Sequence, residues 1–167
     1  WSSGGQLLYI ETSTLTSPSG FVKTTALPAD TGNSNRPFNA TYFRAHFTYA
    51  GPLTDVTLQA KVMLDDGAVF YLNGHEITPT GNNGNRLRMP AGTVAFSTIA
   101  TTNIDNASEE TLLFDAAWLQ QGDNVFAVAV HQEHSVGTQT SSDVVFGVKL
   151  DALVTVGGSA GAIVLNE

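Results

Sequence analysis

Residues 56–77 read VTLQAKVMLDDGAVFYLNGHEI, and the fold class follows from them. From Val56 to Leu64 the residues alternate, with Val56, Leu58, Ala60, Val62 and Leu64 opposite Thr57, Gln59, Lys61 and Met63. Successive side chains of a strand point to opposite faces, so the first set is predicted to face a core. Ala68 to Leu72 predicts a further strand, which Asn73-Gly74 joins to His75-Glu76-Ile77. Asn-Gly between two apolar runs marks a two-residue hairpin, because both residues tolerate positive φ.

Upstream, Thr41 to Tyr49 alternates in the same way, with Phe43, Ala45, Phe47 and Tyr49 opposite Tyr42, Arg44, His46 and Thr48. Gln6 to Ile10 and Phe21 to Val22 predict short strands, and Asp30 to Asn39 a loop. Downstream, Thr78 to Gly92 is a polar loop rich in Asn and Gly, too long for a tight turn. Thr111 to Phe114 predicts a strand, and Ala116 to Gln121 a short helical turn closed by Gly122. Asn124 to His131 is apolar on both faces, as a central strand covered on both sides would be. Glu133 to Ser142 is a second polar loop, and Val144 to Val156 a long last strand. Eight or more strands without an amphipathic helix predict an all-β chain, an antiparallel β-sandwich of the jelly-roll kind. Residues 1–156 form the module, and residues 157–167 read as a Gly/Ser linker into a following domain.

The chain's 167 residues suffice for one core, and its 16 Gly with only 13% charged residues suit antiparallel strands joined by turns. A net charge of −8 with 7 Lys and Arg leaves no basic stripe for nucleic acid or anionic membranes. The same acidity supplies oxygen ligands for a hard cation such as calcium. The absence of Cys excludes disulfides, thiolate zinc sites and Cys nucleophiles. No stretch approaches the ~20 apolar residues of a membrane-spanning helix. Beginning at Trp1, the chain is expected to be one piece of a longer secreted protein, covalently linked to neighbouring domains.

Several segments share a likeness in their order. They are Thr41-Tyr42-Phe43-Arg44, then Asp65-Asp66-Gly67 through Asn73-Gly74-His75-Glu76-Ile77, then Arg88-Met89-Pro90-Ala91-Gly92. Gly122-Asp123-Asn124 through Val130-His131-Gln132 and Ser141-Ser142-Asp143 complete the set. Together, over Thr41 to Val156, they resemble a galactose-binding-like jelly-roll module of large secreted bacterial proteins. Such modules often sit beside lamin-tail domains, and Ile163 to Glu167 is similar to the opening of one. The resemblance implies an accessory module, akin to carbohydrate-binding modules.

Three places offer chemistry. Asp65 and Asp66 lie between two strands and Asp143 precedes the last one, so they are candidate calcium ligands or turn anchors. Tyr42, Arg44 and His46 share one strand face, where a ring can take the C–H face of a sugar and Arg can donate to its hydroxyls. Asn83 and Arg86, in the long loop, can read further hydroxyls. His131 is expected to be structural, because its spacing to Glu133 and His134 at a strand end does not put both rings on one side. Glu109-Glu110 is expected to face solvent, and no motif of nucleophilic or metal hydrolysis is present. Asn39-Ala40-Thr41 and Asn106-Ala107-Ser108 match the short glycosylation pattern.

The expected function is therefore non-catalytic binding of a polysaccharide or other glycan at a cell surface or outside the cell, with calcium as a structural ion. The alternative is a structural or adhesive module, a spacer or self-associating subunit whose interface is protein.

Overall fold

The computed structural model describes residues 7–34, 36–135, 138–139, 141–156 and 159–164. Its strands are β1 (Leu7–Ile10), β2 (Lys23–Ala26), β3 (Ala40–Tyr49), β4 (Val56–Asp65), β5 (Gly67–Leu72) and β6 (His75–Ile77). They continue with β7 (Glu109–Asp115), β8 (Gly122–His131), β9 (His134–Ser135), β10 (Thr138–Gln139), β11 (Val144–Val156) and β12 (Ser159–Val164). The first sheet runs β2-β1-β11-β4-β7, with β12 also paired to β11, and the second runs β3-β8-β5-β6. Strands β9 and β10, within the segment expected to be a polar loop, form a separate two-stranded pair. All pairs are antiparallel except β1 with β2. The protein is an all-β sandwich.

The alternation of β4 comes out as read. Leu58, Ala60, Val62 and Leu64 are fully buried and face the second sheet across the core. Phe114 of the first sheet meets Phe70 and Phe126 of the second, with ring centroids 5.1 and 6.3 Å away. Phe43, on the inward side of β3, stacks on Phe146 of β11 at 4.7 Å. Such aromatic pairs hold two sheets about 10 Å apart by area burial plus ring geometry.

Two smaller apolar clusters lie outside this core. Met63, which the alternation places on the polar side of β4, is fully buried beneath Leu7, Phe21, Ala107 and Val145. The N-terminal segment folds over that outer face, a contact between distant parts of the chain that local periodicity does not register. On the outer face of the second sheet, Met89 and Ala100 of the long loop cover Val69 and Ala129.

Asn73 and Gly74 join β5 to β6 with φ of 50° and 83°, the two positive values that the hairpin requires. Ala116–Gln121 is a turn closed by Leu119 N–H donating to the Ala116 carbonyl at 2.9 Å, rather than a helical segment. Phe21 and Val22 precede β2, which starts at Lys23. Ser159–Val164, which the sequence reading gives to a linker, pairs antiparallel with Asp151–Val156. Residues 157–158 and 165–167 lie outside the described residues.

The hairpin tip is tied to the β7–β8 connection. Asn73 Nδ2 donates to the Trp118 carbonyl and to Asn124 Oδ1, both at 2.8 Å, and Asn73 Oδ1 accepts from Val125 N–H at 2.8 Å. Asn73→Ala should cost about 2 kcal/mol, from three lost hydrogen bonds and a left-handed residue that Ala tolerates poorly. Urea unfolding measures it, and an unchanged midpoint contradicts this role.

Candidate functional site

The outer face of the second sheet is built by strand register. Residues directly opposite on neighbouring strands share a face. Tyr42 lies beside Ala129 and then Val69, while Arg44 lies beside Ala127, then Tyr71, then Glu76. The small side chain of Ala127 thus lies between Arg44 of the edge strand β3 and Tyr71 of β5, whereas Ala129 beside Tyr42 is covered by Met89 and Ala100. Tyr42 is 47% exposed, and Arg44 and His46 are also exposed. His46 Nδ1 sits 3.0 Å from the Asp123 carboxylate. Tyr71 is half-buried, and its hydroxyl is held above the usual range by burial and then by the charge of Glu76. Four strands spaced about 4.8 Å apart make this strip roughly 14 Å across.

Arg86 meets the strip at its far end. Its Nε and Nη2 grip both oxygens of Glu76, at 2.6 and 2.9 Å, and its Nη1 donates to the carbonyls of Pro90 and Gly92. Most of its donors are thereby engaged, which fixes the loop against β6. Beside it opens a cleft of about 230 Å³ lined by Glu76, Asn85, Arg86, Met89 and Pro90. That volume is small for a small-molecule pocket. Asn83 is exposed at the loop tip with φ of 52°, and the neighbouring Asn82 amide holds the turn by donating to the Asn85 and Arg86 carbonyls.

The acidic residues gather elsewhere, at one end of the first sheet. Asp66 is fully buried and anchors main chain: Oδ1 accepts from Ile104 N–H at 2.6 Å and Oδ2 from Glu133 N–H at 2.8 Å. The Asp65–Asp66 peptide is cis. Asp65 is equally buried, but neither of its carboxylate oxygens has a hydrogen-bond partner. Burial, then the carboxylates of Asp66 and Asp143, push its pKa up to about 10. Asp143 is raised to about 7 by burial and by Glu11. Burial opposes ionisation of Glu11 as well, yet the Ser13 N–H, Asp143 and Lys23 leave it below the ordinary value. The structure therefore brings Asp65, Asp66 and Asp143 together and adds Glu11, which sequence reasoning missed. Among the described residues no group of three or more His, Cys, Asp or Glu side chains is already disposed to hold a metal ion.

Other residues take structural roles. His131 is buried, its Nδ1 donates to the Thr98 carbonyl at 2.8 Å, and burial lowers its pKa. The side chain of His134 lies outside the described residues. Glu109 does not simply face solvent: the hydroxyls of Ser17 and Ser19 donate to it and hold its pKa down at about 2. Glu110 pairs with Arg88 at 2.9 Å. Trp118, 46% exposed, stacks on His75 with ring centroids 3.5 Å apart. An exposed Trp beside a hairpin tip was the available signal for that pair.

No family model, curated protein or solved structure matches this chain. Among the described residues no helix is long and apolar enough to cross a membrane.

Proposed function

We propose that this sandwich is a non-catalytic carbohydrate-binding module, of the galactose-binding-like jelly-roll kind, working outside the cell as part of a larger secreted protein. The observation that supports it is the strip from Tyr42 and Arg44 across Ala127 and Tyr71 to Glu76. Tyr42 and Tyr71 stand on either side of the small side chain of Ala127, so a pyranose ring can lie on apolar surface. Arg44 and Glu76 stand at the margins, one to donate to sugar hydroxyls and one to accept from them. The loop bearing Met89 and Ala100 packs on one part of the sheet, so the face is preformed and binding requires little ordering. The edge strand carries Arg44 and His46 on its exposed side, which discourages sheet-to-sheet pairing with another copy.

Affinity electrophoresis of the purified domain against a panel of soluble polysaccharides tests this reading. One glycan class should retard the domain, and Tyr42→Ala should weaken that retardation about tenfold, equivalent to ~1.4 kcal/mol. Retardation by none of them, together with self-association in sedimentation, would support the structural or adhesive alternative.

A further inference from the structure

We propose that Asn83 is a site of spontaneous covalent modification, deamidation through a cyclic imide, while Asn73 in the same sequence context is protected by the fold. Water is the only co-reactant. The chain holds two Asn-Gly pairs, Asn73-Gly74 and Asn83-Gly84. A glycine after asparagine leaves the main-chain nitrogen unhindered, because it has no Cβ to stand in the way of the side-chain carbon.

The two pairs adopt the same kind of turn. Asn73 and Gly74 have φ of 50° and 83°, and Asn83 and Gly84 have φ of 52° and 73°. Asn85 N–H closes the second turn by donating to the Asn82 carbonyl at 2.9 Å. Beyond the chain neighbours, no atom lies within 4 Å of where a Cβ would stand on either glycine. What differs is the hold on the asparagine side chain. Asn73 Nδ2 donates to the Trp118 carbonyl and to Asn124 Oδ1, and its Oδ1 accepts from Val125 N–H, each at 2.8 Å. Asn83 is exposed, and among the described residues neither its side chain nor the Gly84 N–H has a hydrogen-bond partner. The side-chain bonds that hold this turn run from Asn82 to the Asn85 and Arg86 carbonyls and leave Asn83 itself unrestrained.

The Gly84 nitrogen gives its proton to a solvent base and forms a bond to Asn83 Cγ, while Nδ2 takes a proton from solvent and leaves as ammonia. Water then adds to one of the two imide carbonyls. Breaking the bond from nitrogen to Cγ yields aspartate. Breaking the bond from nitrogen to the main-chain carbonyl carbon yields isoaspartate, whose main chain is one methylene longer. No electron is transferred, and the net change is ammonia lost for water gained. Either product adds a negative charge to the turn whose Gly84 and Asn85 line the cleft beside Glu76 and Arg86. The extra methylene of isoaspartate also misfits a turn closed by one main-chain bond between Asn82 and Asn85. The modification does not depend on what the domain binds.

The test is peptide mapping by mass spectrometry of the whole folded chain, sampled during several weeks at pH 8 and 37 °C. Fragments carrying Asn83 are expected to gain one mass unit and to separate into aspartate and isoaspartate forms. Asn73 should convert at least about tenfold more slowly, because ring closure there must first break three hydrogen bonds. Asn83→Gln should remove the acidic isoform that ion exchange resolves from the parent. In guanidinium-unfolded protein the two rates should converge. An Asn83 that stays intact, or an Asn73 that converts as fast in the folded protein, overturns the site. Rates that differ as much in the unfolded chain would trace the selectivity to local sequence and overturn the protection assigned to the fold.

Discussion

Asp66→Ala is expected to destabilise the domain by about 4 kcal/mol, the largest single effect in the acidic end of the sheet. Its two oxygens satisfy the N–H groups of Ile104 and Glu133, which belong to segments distant in sequence. Removing the carboxylate strands two main-chain donors beside a fully buried position, at ~1–3 kcal/mol each. At about 2 kcal/mol for each of the two bonds, the sum is the expected ~4 kcal/mol. The Asp66 main chain also carries a bond, its carbonyl accepting from Arg88 Nε at 2.6 Å, so a displaced Asp66 loosens Arg88 too. The expected fall in Tm is about 8–16 °C. Asp66→Asn keeps one acceptor and should cost roughly half as much. Chemical denaturation of both variants measures this, and a loss below about 1 kcal/mol in Asp66→Ala contradicts the anchoring role.

Gly67→Ala is expected to cost about 3 kcal/mol, and the reason is space. A Cβ at Gly67 would sit 2.5 Å from the Arg88 carbonyl oxygen, 2.9 Å from Ala100 Cβ and 3.0 Å from Met89 Sδ. The Arg88 carbonyl cannot simply retreat, because it accepts from Thr101 N–H at 2.9 Å. The loop must move off the sheet or the strand must bend, and overpacking of this kind costs ~1–3 kcal/mol before lost hydrogen bonds are added. The same displacement uncovers Val69 and Ala129, so limited proteolysis should cut the loop between Leu87 and Thr101 faster in this variant. Stability and cleavage rate equal to those of the parent protein would contradict the close packing. Gly67 lies outside the left-handed region, so no turn conformation requires a glycine there. Its requirement comes from a loop some twenty residues away.

These two residues show where sequence reading succeeds and where it stops. The strands at 56–64, 68–72 and 144–156 are legible because each carries its own alternation or turn signal. The burial of Met63 is not, since it depends on Leu7 and Phe21 returning over β4. The parallel pairing of β1 with β2, and that of β12 with β11, also lack a local signature. Candidate residues divide the same way. Tyr42, Arg44 and His46 share an exposed face because strand periodicity alone dictates it. Arg86 reads as free in a polar loop, whereas Glu76, across the hairpin, holds it in a bidentate ion pair. Glu11 sits in a weakly patterned segment, and only the register of β1 with β11 brings it to Asp143.

The central claim is that a glycan lies on the Tyr42 to Glu76 strip, and amide chemical-shift mapping during titration with the polysaccharide that retards the domain tests it most directly. Binding there predicts perturbations concentrated at Tyr42, Arg44, Ala127, Tyr71 and Glu76, with the acidic end of the first sheet unmoved. Perturbations confined to the His75–Trp118 stack, or none with any polysaccharide, would contradict it.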